Sequence, residues 1–108
     1  MPEIREYIDR RGRCPFARWF AALDARTAAR IATTLARMEA GNLADVKGVG
    51  EGVLERRLHF GLGYRIYFGR DGNHVIVLLA GGSKRRQRRD IERARERWRD
   101  YLARRSET

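Results

Sequence analysis

Near residue 53 the apolar side chains of this chain change period, from that of a helix to that of a strand. Upstream, Phe16, Trp19, Phe20 and Leu23 fall at i, i+3, i+4 and i+7, and Ala28, Ile31, Leu35 and Met38 keep helical spacing. Downstream, residues 53–60 alternate Leu54, Arg56, Leu58 and Phe60 with Val53, Glu55, Arg57 and His59. Tyr64, Ile66 and Phe68 then alternate with Arg65 and Tyr67. A helix buries a stripe and a strand buries a face, so a chain that does each in turn packs helices against a sheet.

The punctuation between these runs sets the element order. Residues 3–9 read as a first strand, ended by a turn around Gly12. Pro15 suits the first turn of a helix, Asp24 caps a second, and Gly41-Asn42 closes it. Residues 44–52 are glycine-rich and lack the Lys-Ser/Thr spacing of a phosphate-cradling loop, so they are read as a connection and not as a nucleotide site. Asp71-Gly72 marks a hairpin, and residues 74–81 are apolar on both sides, as a central strand requires. Gly81-Gly82 is read as the break after it. A last helix runs from about Lys84 to about Leu102 and buries Ile91, Ala94, Trp98 and Leu102. The expectation is an α+β fold of order β-α-α-β-β-β-α, one domain over residues 1–108, with a small, mostly antiparallel sheet. The helical hairpin packs on one face of that sheet, and the other face is left open.

Charge says more about partners than about fold. The 108 residues carry a net charge of +10, and 22 of the 24 basic residues are arginine, the exceptions being Lys47 and Lys84. Residues 84–105 hold eleven Lys/Arg against four Asp/Glu. Such a domain calls for a polyanion or an acidic partner, and guanidinium groups fork onto phosphate oxygens. Five positive charges fall within residues 84–89 at a helix N-terminus, where the macrodipole disfavours cations, so an anion is expected to compensate them. No apolar run reaches the ~20 residues that span a bilayer, and the N-terminal residues do not resemble a signal peptide. The single Cys14 excludes an internal disulfide, and no Cys/His cluster has metal-site spacing. A cytoplasmic protein without metal, cofactor or membrane partner is expected.

Strand alternation gathers the chemistry. Glu55, Arg57 and His59 share one face of their strand with Arg65 and Tyr67 of the next, opposite the apolar face, and Ser83, Lys84, Arg85 and Arg86 border it. Metal-free cleavage of RNA needs a base for the ribose 2′-hydroxyl, an acid for the departing 5′-oxygen and cations for the phosphorane charge. Glu55 or His59 is a candidate base, and His59 or Tyr67 a candidate acid. Arg57, Arg65 and Lys84 are candidate phosphate ligands, and Tyr67 or His59 a candidate base-stacking group. Cross-strand ion pairing accounts equally well for Glu-Arg neighbours on such a face. Trp19 and Trp98 lie on helical stripes and read as core; Cys14 reads as a half-buried small group, and Arg56 as a side chain snorkelling to the sheet edge.

The stretch ERRLHFGLGYRIYF, followed by VIVLLAGGSKRRQRRDIERARERW, resembles the RelE/ParE toxin superfamily, and within it the HigB-like "addiction module killer protein" branch. The resemblance spans nearly the whole chain and implies a RelE-like fold and a type II toxin–antitoxin toxin that cuts mRNA in the ribosome without a metal. It makes Arg57, Arg65 and Lys84 the phosphate-handling cations and places Glu55 and Asp90 in the branch's recurring motif. Arg85, Arg86, Arg88, Arg89, Tyr67 and Lys47 would bind nucleic acid beside them. The implied partners are mRNA, the ribosome and a cognate antitoxin of the helix-turn-helix, DNA-binding kind. Several ribosome-dependent relatives carry a tyrosine where this chain has Asp90-Ile91, so two other functions are weighed: a ParE-like poison of DNA gyrase, and an inactive module that binds antitoxin or nucleic acid.

Overall fold

The computed structural model describes residues 2–107. Strand β1 (Glu3–Glu6) leads to helices α1 (Pro15–Ala21) and α2 (Ala25–Glu39). Strands β2 (Val46–Gly48), β3 (Leu54–Arg57), β4 (Tyr64–Asp71) and β5 (Val75–Ser83) follow, then a 3₁₀ turn over Lys84–Arg86 and helix α3 (Gln87–Ser106). The fold is α+β, as expected, with one strand more than the sequence indicated. Residues 46–48, read as part of a loop, form an edge strand antiparallel to β3. The five strands lie in the order β1-β5-β4-β3-β2, antiparallel except that β1 runs parallel to β5. Among the described residues, no helix is long and apolar enough to cross a membrane.

The helical signals act as the residues suggest. Pro15 opens α1, and the Asp24 carboxylate accepts a hydrogen bond from the Thr27 backbone N–H at 2.7 Å, capping α2. Gly41, at φ 95°, takes the left-handed conformation that turns the chain out of α2. The helical hairpin covers one face of the sheet. There Phe16, Ile31 and Met38 pack on Leu58, Ile66, Phe68, Ile76 and Leu78, with Leu54, Phe60 and Tyr64 at the margin.

The opposite face is not open. Helix α3 lies across it, burying Ala94 and Trp98 against Val53, Tyr67, Val77, Leu79 and Ala80, with Ile91 and Leu102 partly buried beside them. This corrects the expectation of helices on one side only. The physical reason lies in β5, whose doubly apolar sequence needs cover on both faces, and in the apolar stripe of α3, which must be buried somewhere. A bulge in β5 adjusts the fit. Tyr67 pairs with Ala80 and Phe68 with Leu78, so Leu79 is the extra residue. Both Leu79 and Ala80 therefore face α3, and the alternation beyond them is reversed.

Gly81-Gly82 does not break β5, which continues to Ser83. The pair thins the strand instead. A β-carbon on Gly81 would stand 2.1 Å from the Trp19 ring, and one on Gly82 would stand 1.9 Å from Asp90 Oδ2. Gly69 in β4 does the same for Trp98, at 2.5 Å.

Candidate functional site

The polar side chains expected on one open surface divide into two layers. The inner layer is sealed beneath α3. Glu55 is fully buried, directly opposite Tyr67 in the β3–β4 register, and Tyr67 is equally inaccessible. Arg65 is 7% exposed, and its Nε stands 3.6 Å from Glu55 Oε2. Gln87, the first residue of α3, donates from Nε2 to the same oxygen at 3.0 Å. Lys47 of β2 approaches Glu55 Oε1 from solvent at 3.8 Å. The Arg65 guanidinium also donates to the Gly63 carbonyl at 2.7 Å, which aims it at the β3–β4 turn. Asp90, on the first turn of α3, lies half-buried over Gly82.

Burial sets the electrostatics of this layer. It raises the Asp90 carboxyl above its ordinary pKa despite the arginines at 86, 93, 89 and 97. It raises the Tyr67 hydroxyl further, with the Glu55 carboxylate as the next cause. Glu55 and Tyr67, expected to face a bound nucleic acid, have no access to solvent. Their alternation was read correctly, but the cover over that face was missed.

The outer layer is a groove of about 470 Å³ where the β3–β4 turn meets the start of the 3₁₀ turn. Arg57, His59, Arg65 and Lys84 line it, with Leu58, Phe60 and Tyr64 as its apolar part. Arg57 and Arg65 are cross-strand neighbours. The Lys84 backbone N–H donates to the Gly63 carbonyl at 3.0 Å, clamping the turn against the base of α3. Three cations and an imidazole thus converge with no carboxylate among the lining residues. Among the described residues neither Arg57 nor Lys84 has an ion-pair partner. His59 is exposed, with Nε2 3.7 Å from the Asp45 carboxylate at the outer rim.

The arginines of α3 divide by position. Arg85, Arg86, Arg88 and Arg89 project from its N-terminal end, around a shallow pocket shared with Glu92, and form no ion pair among the described residues. Those further along are bound in place. Arg95 and Arg97 donate to the Val49 and Leu79 carbonyls, Arg99 pairs with Glu51 at 2.6 Å, Arg104 with Asp100 at 2.9 Å, and Arg105 with Asp71. The arginines from Arg95 to Arg105 therefore fasten the Gly-rich loop, β5, the segment after β1 and the β4–β5 hairpin to the helix. The groove and the N-terminal end of α3 thus both carry cations without an ion-pair partner among the described residues.

Sequence reasoning missed Gln87, which carries no signal beyond its place at a helix start. Arg30 and Arg37 of α2, whose spacing puts them on one helical face, are also absent from the residues the sequence singled out.

Three comparisons bear on the identity of this arrangement. The family model described as "Phage derived protein Gp49-like (DUF891)" matches residues 18–99. An uncharacterised protein of Haemophilus influenzae is 36% identical over 81 residues, which cover 74% of this chain and 82% of that protein. No solved structure matches the chain. The matched region takes in α2, the four-stranded meander and most of α3, and so contains every lining residue of the groove.

Proposed function

Since this chain belongs to the Gp49-like family of phage-derived proteins, part of the addiction-module killer and RelE-like toxin group, we propose that it is a HigB-like toxin that cuts mRNA on the ribosome, without a metal. Family membership carries with it a cognate antitoxin, and the proposed partner is a helix-turn-helix, DNA-binding protein. Work on translated mRNA makes the cytoplasm its proposed location.

The observation that carries the cleavage reading is the convergence of Arg57, Arg65, Lys84 and His59 on one carboxylate-free groove. Cleavage proceeds by attack of the ribose 2′-oxygen on the adjacent phosphorus. The 2′-hydroxyl proton leaves to a base, the P–O5′ bond breaks, and the 5′-oxygen takes up a proton, leaving a 2′,3′-cyclic phosphate. Arg57, Arg65 and Lys84 neutralise the charge that builds on the phosphate oxygens. His59 is the exposed imidazole of the groove, a group with a nitrogen to accept a proton and one to give it, and it is the group proposed to move it. Glu55 takes a different part from the base considered at first: buried against Arg65, it orients that guanidinium. Tyr67 and Asp90 pack behind the pair. The guanidiniums at 85, 86, 88 and 89, with Lys47 on the far edge strand, bind the flanking phosphates.

The test is translation of a defined mRNA in a purified ribosomal system with the toxin added, read by primer extension. New 5′ ends with the wild-type chain, lost in Lys84→Ala and Arg57→Ala, are expected; both residues are exposed, so the variants keep the fold. Intact mRNA together with trapped gyrase–DNA breaks would reject the ribonuclease and assign the gyrase function.

A further inference from the structure

Behind the ridge formed by residues 57–60 lies a second groove, of about 390 Å³, between that ridge and α2. Its helical wall is Arg30, Thr33, Thr34 and Arg37, at i, i+3, i+4 and i+7 on one face of α2. The two grooves share Arg57, Leu58, His59 and Phe60, so they are two halves of one trough with His59 at the divide. The Arg30 guanidinium carbon stands 4.3 Å from the centre of the Phe60 ring. That contact holds the cation against an aromatic support in the groove wall. Neither Arg30 nor Arg37 has an ion-pair partner among the described residues, and the one carboxylate on the wall, Asp45, sits beside His59.

Resting on the RNA-cleavage reading above, we infer that this second groove binds the single-stranded RNA that flanks the scissile phosphate. One base stacks on the Arg30 guanidinium, and the neighbouring phosphate lies against Arg37. A guanidinium steadied by an aromatic ring is a stacking partner for an unpaired base, and cations on both sides of a continuous trough follow a phosphate backbone. An acidic protein segment would match the charge but not the rest. Its apolar anchors would find Leu58 buried and the face of Phe60 already covered by Arg30.

The experiment uses the full chain and fully 2′-O-methylated RNA, which cannot be cleaved, as oligonucleotides of about four and about twelve residues, with binding read by fluorescence anisotropy across a salt series. The double variant Arg30→Ala/Arg37→Ala is expected to bind the longer RNA at least tenfold more weakly, with its salt slope reduced by the equivalent of about one phosphate, and to bind the shorter RNA like wild type. Arg30→Lys keeps the charge and loses the plane, and is expected to lose about fivefold on the longer RNA. Unchanged binding of the longer RNA by the double variant, with Lys84→Ala weakening both lengths, would overturn this inference and leave the cleavage site standing. No binding of either length by wild type would remove both. Retained RNA binding with lost affinity for poly-glutamate would give the groove to an acidic protein segment and overturn the assignment.

Discussion

Asp90 holds its carboxylate over the α-carbon of Gly82, so close that a β-carbon on that residue would stand 1.9 Å from Oδ2. One position earlier and on the other face, Gly81 admits the Trp19 ring to a corresponding 2.1 Å. Two helices approach β5 from opposite sides through consecutive missing side chains. The dipeptide that reads as a strand break in the sequence is the place where a side chain from each helical layer presses on the bare backbone of β5.

A methyl group at each position therefore costs stability, by different amounts. Gly81→Ala meets an indole wedged among Phe16 and Tyr64 and is expected to lose about 1–3 kcal/mol, as overpacked cores do. Gly82→Ala meets a half-buried carboxylate that can rotate away, and is expected to lose less. Urea midpoints of the two variants check the order; a larger loss for Gly82→Ala would contradict it.

Glu55 is expected to act on stability before it acts on rate. With Arg65 buried beside it, Glu55→Ala leaves a guanidinium without its counter-ion, a change that costs about 3–5 kcal/mol for buried pairs. Thermal or urea unfolding should show that loss. A Glu55→Ala protein as stable as wild type but inactive would return Glu55 to the role of general base.

The clasp between Tyr7 and Asp100 should give stability a dependence on pH at both extremes. The Tyr7 hydroxyl donates to Asp100 Oδ2 at 2.6 Å; burial first, and then this carboxylate, push the phenol up to about 12. Asp100 is held below its ordinary value of 3.8, by the Tyr7 hydrogen bond first and then by Arg10 and Arg104. A raised phenol contributes stability that is complete below pH 10 and is lost as the pH rises toward 12. A depressed carboxyl contributes stability that is complete above its ordinary value and is lost as the pH falls through the depressed one. Tyr7→Phe should flatten both limbs of a stability–pH curve, and unchanged limbs would show that the clasp is not what titrates.

Position along α3, more than charge alone, should decide which arginines serve RNA. Arg88→Ala and Arg89→Ala are each expected to lower the salt slope of RNA binding by about one phosphate, ~0.7. Arg99→Ala breaks an exposed pair with Glu51 and should leave the slope unchanged, at a cost of about 0–1 kcal/mol in stability. Equal slopes for all three variants would mean that the helix is recognised as a whole.

What the sequence disclosed depended on how local each signal was. Pro15, Asp24 and Gly41 each act within a turn of their own position, and the elements they bound appear where expected. The alternation of Leu54 through Phe68 named the side chains of the hairpin-facing core. What covers the other face is a long-range fact. Glu55 and Tyr67 have the polar atoms of a surface strand and are buried because α3, which begins 32 residues after Glu55, closes over them. The signal was present in residues 74–81, since a strand apolar on both sides requires two covers. Residues 46–48 gave no such signal: three residues among glycines carry too little alternation to be told from a loop. The groove was half legible, because alternation paired Arg57 with Arg65, whereas Arg30 reaches the same trough only through the packing of α2.

The single parallel pairing in the sheet, β1 on β5, separates two properties of the chain in time. The antiparallel meander from β2 to β5 joins neighbours in sequence, and Arg57, His59, Arg65 and Lys84 all come from it or from the residue that follows. Strand β1 and the Tyr7–Asp100 clasp join residues as far as 93 positions apart. Loop-closure entropy makes such contacts the slow ones, so the meander is expected to gain protection in pulsed hydrogen exchange before β1 does. The residues of the proposed site then lie in the early-folding part of the molecule, and the N-terminal strand acts as a late bolt. Loosening that bolt would shorten the protein's life without redrawing its groove.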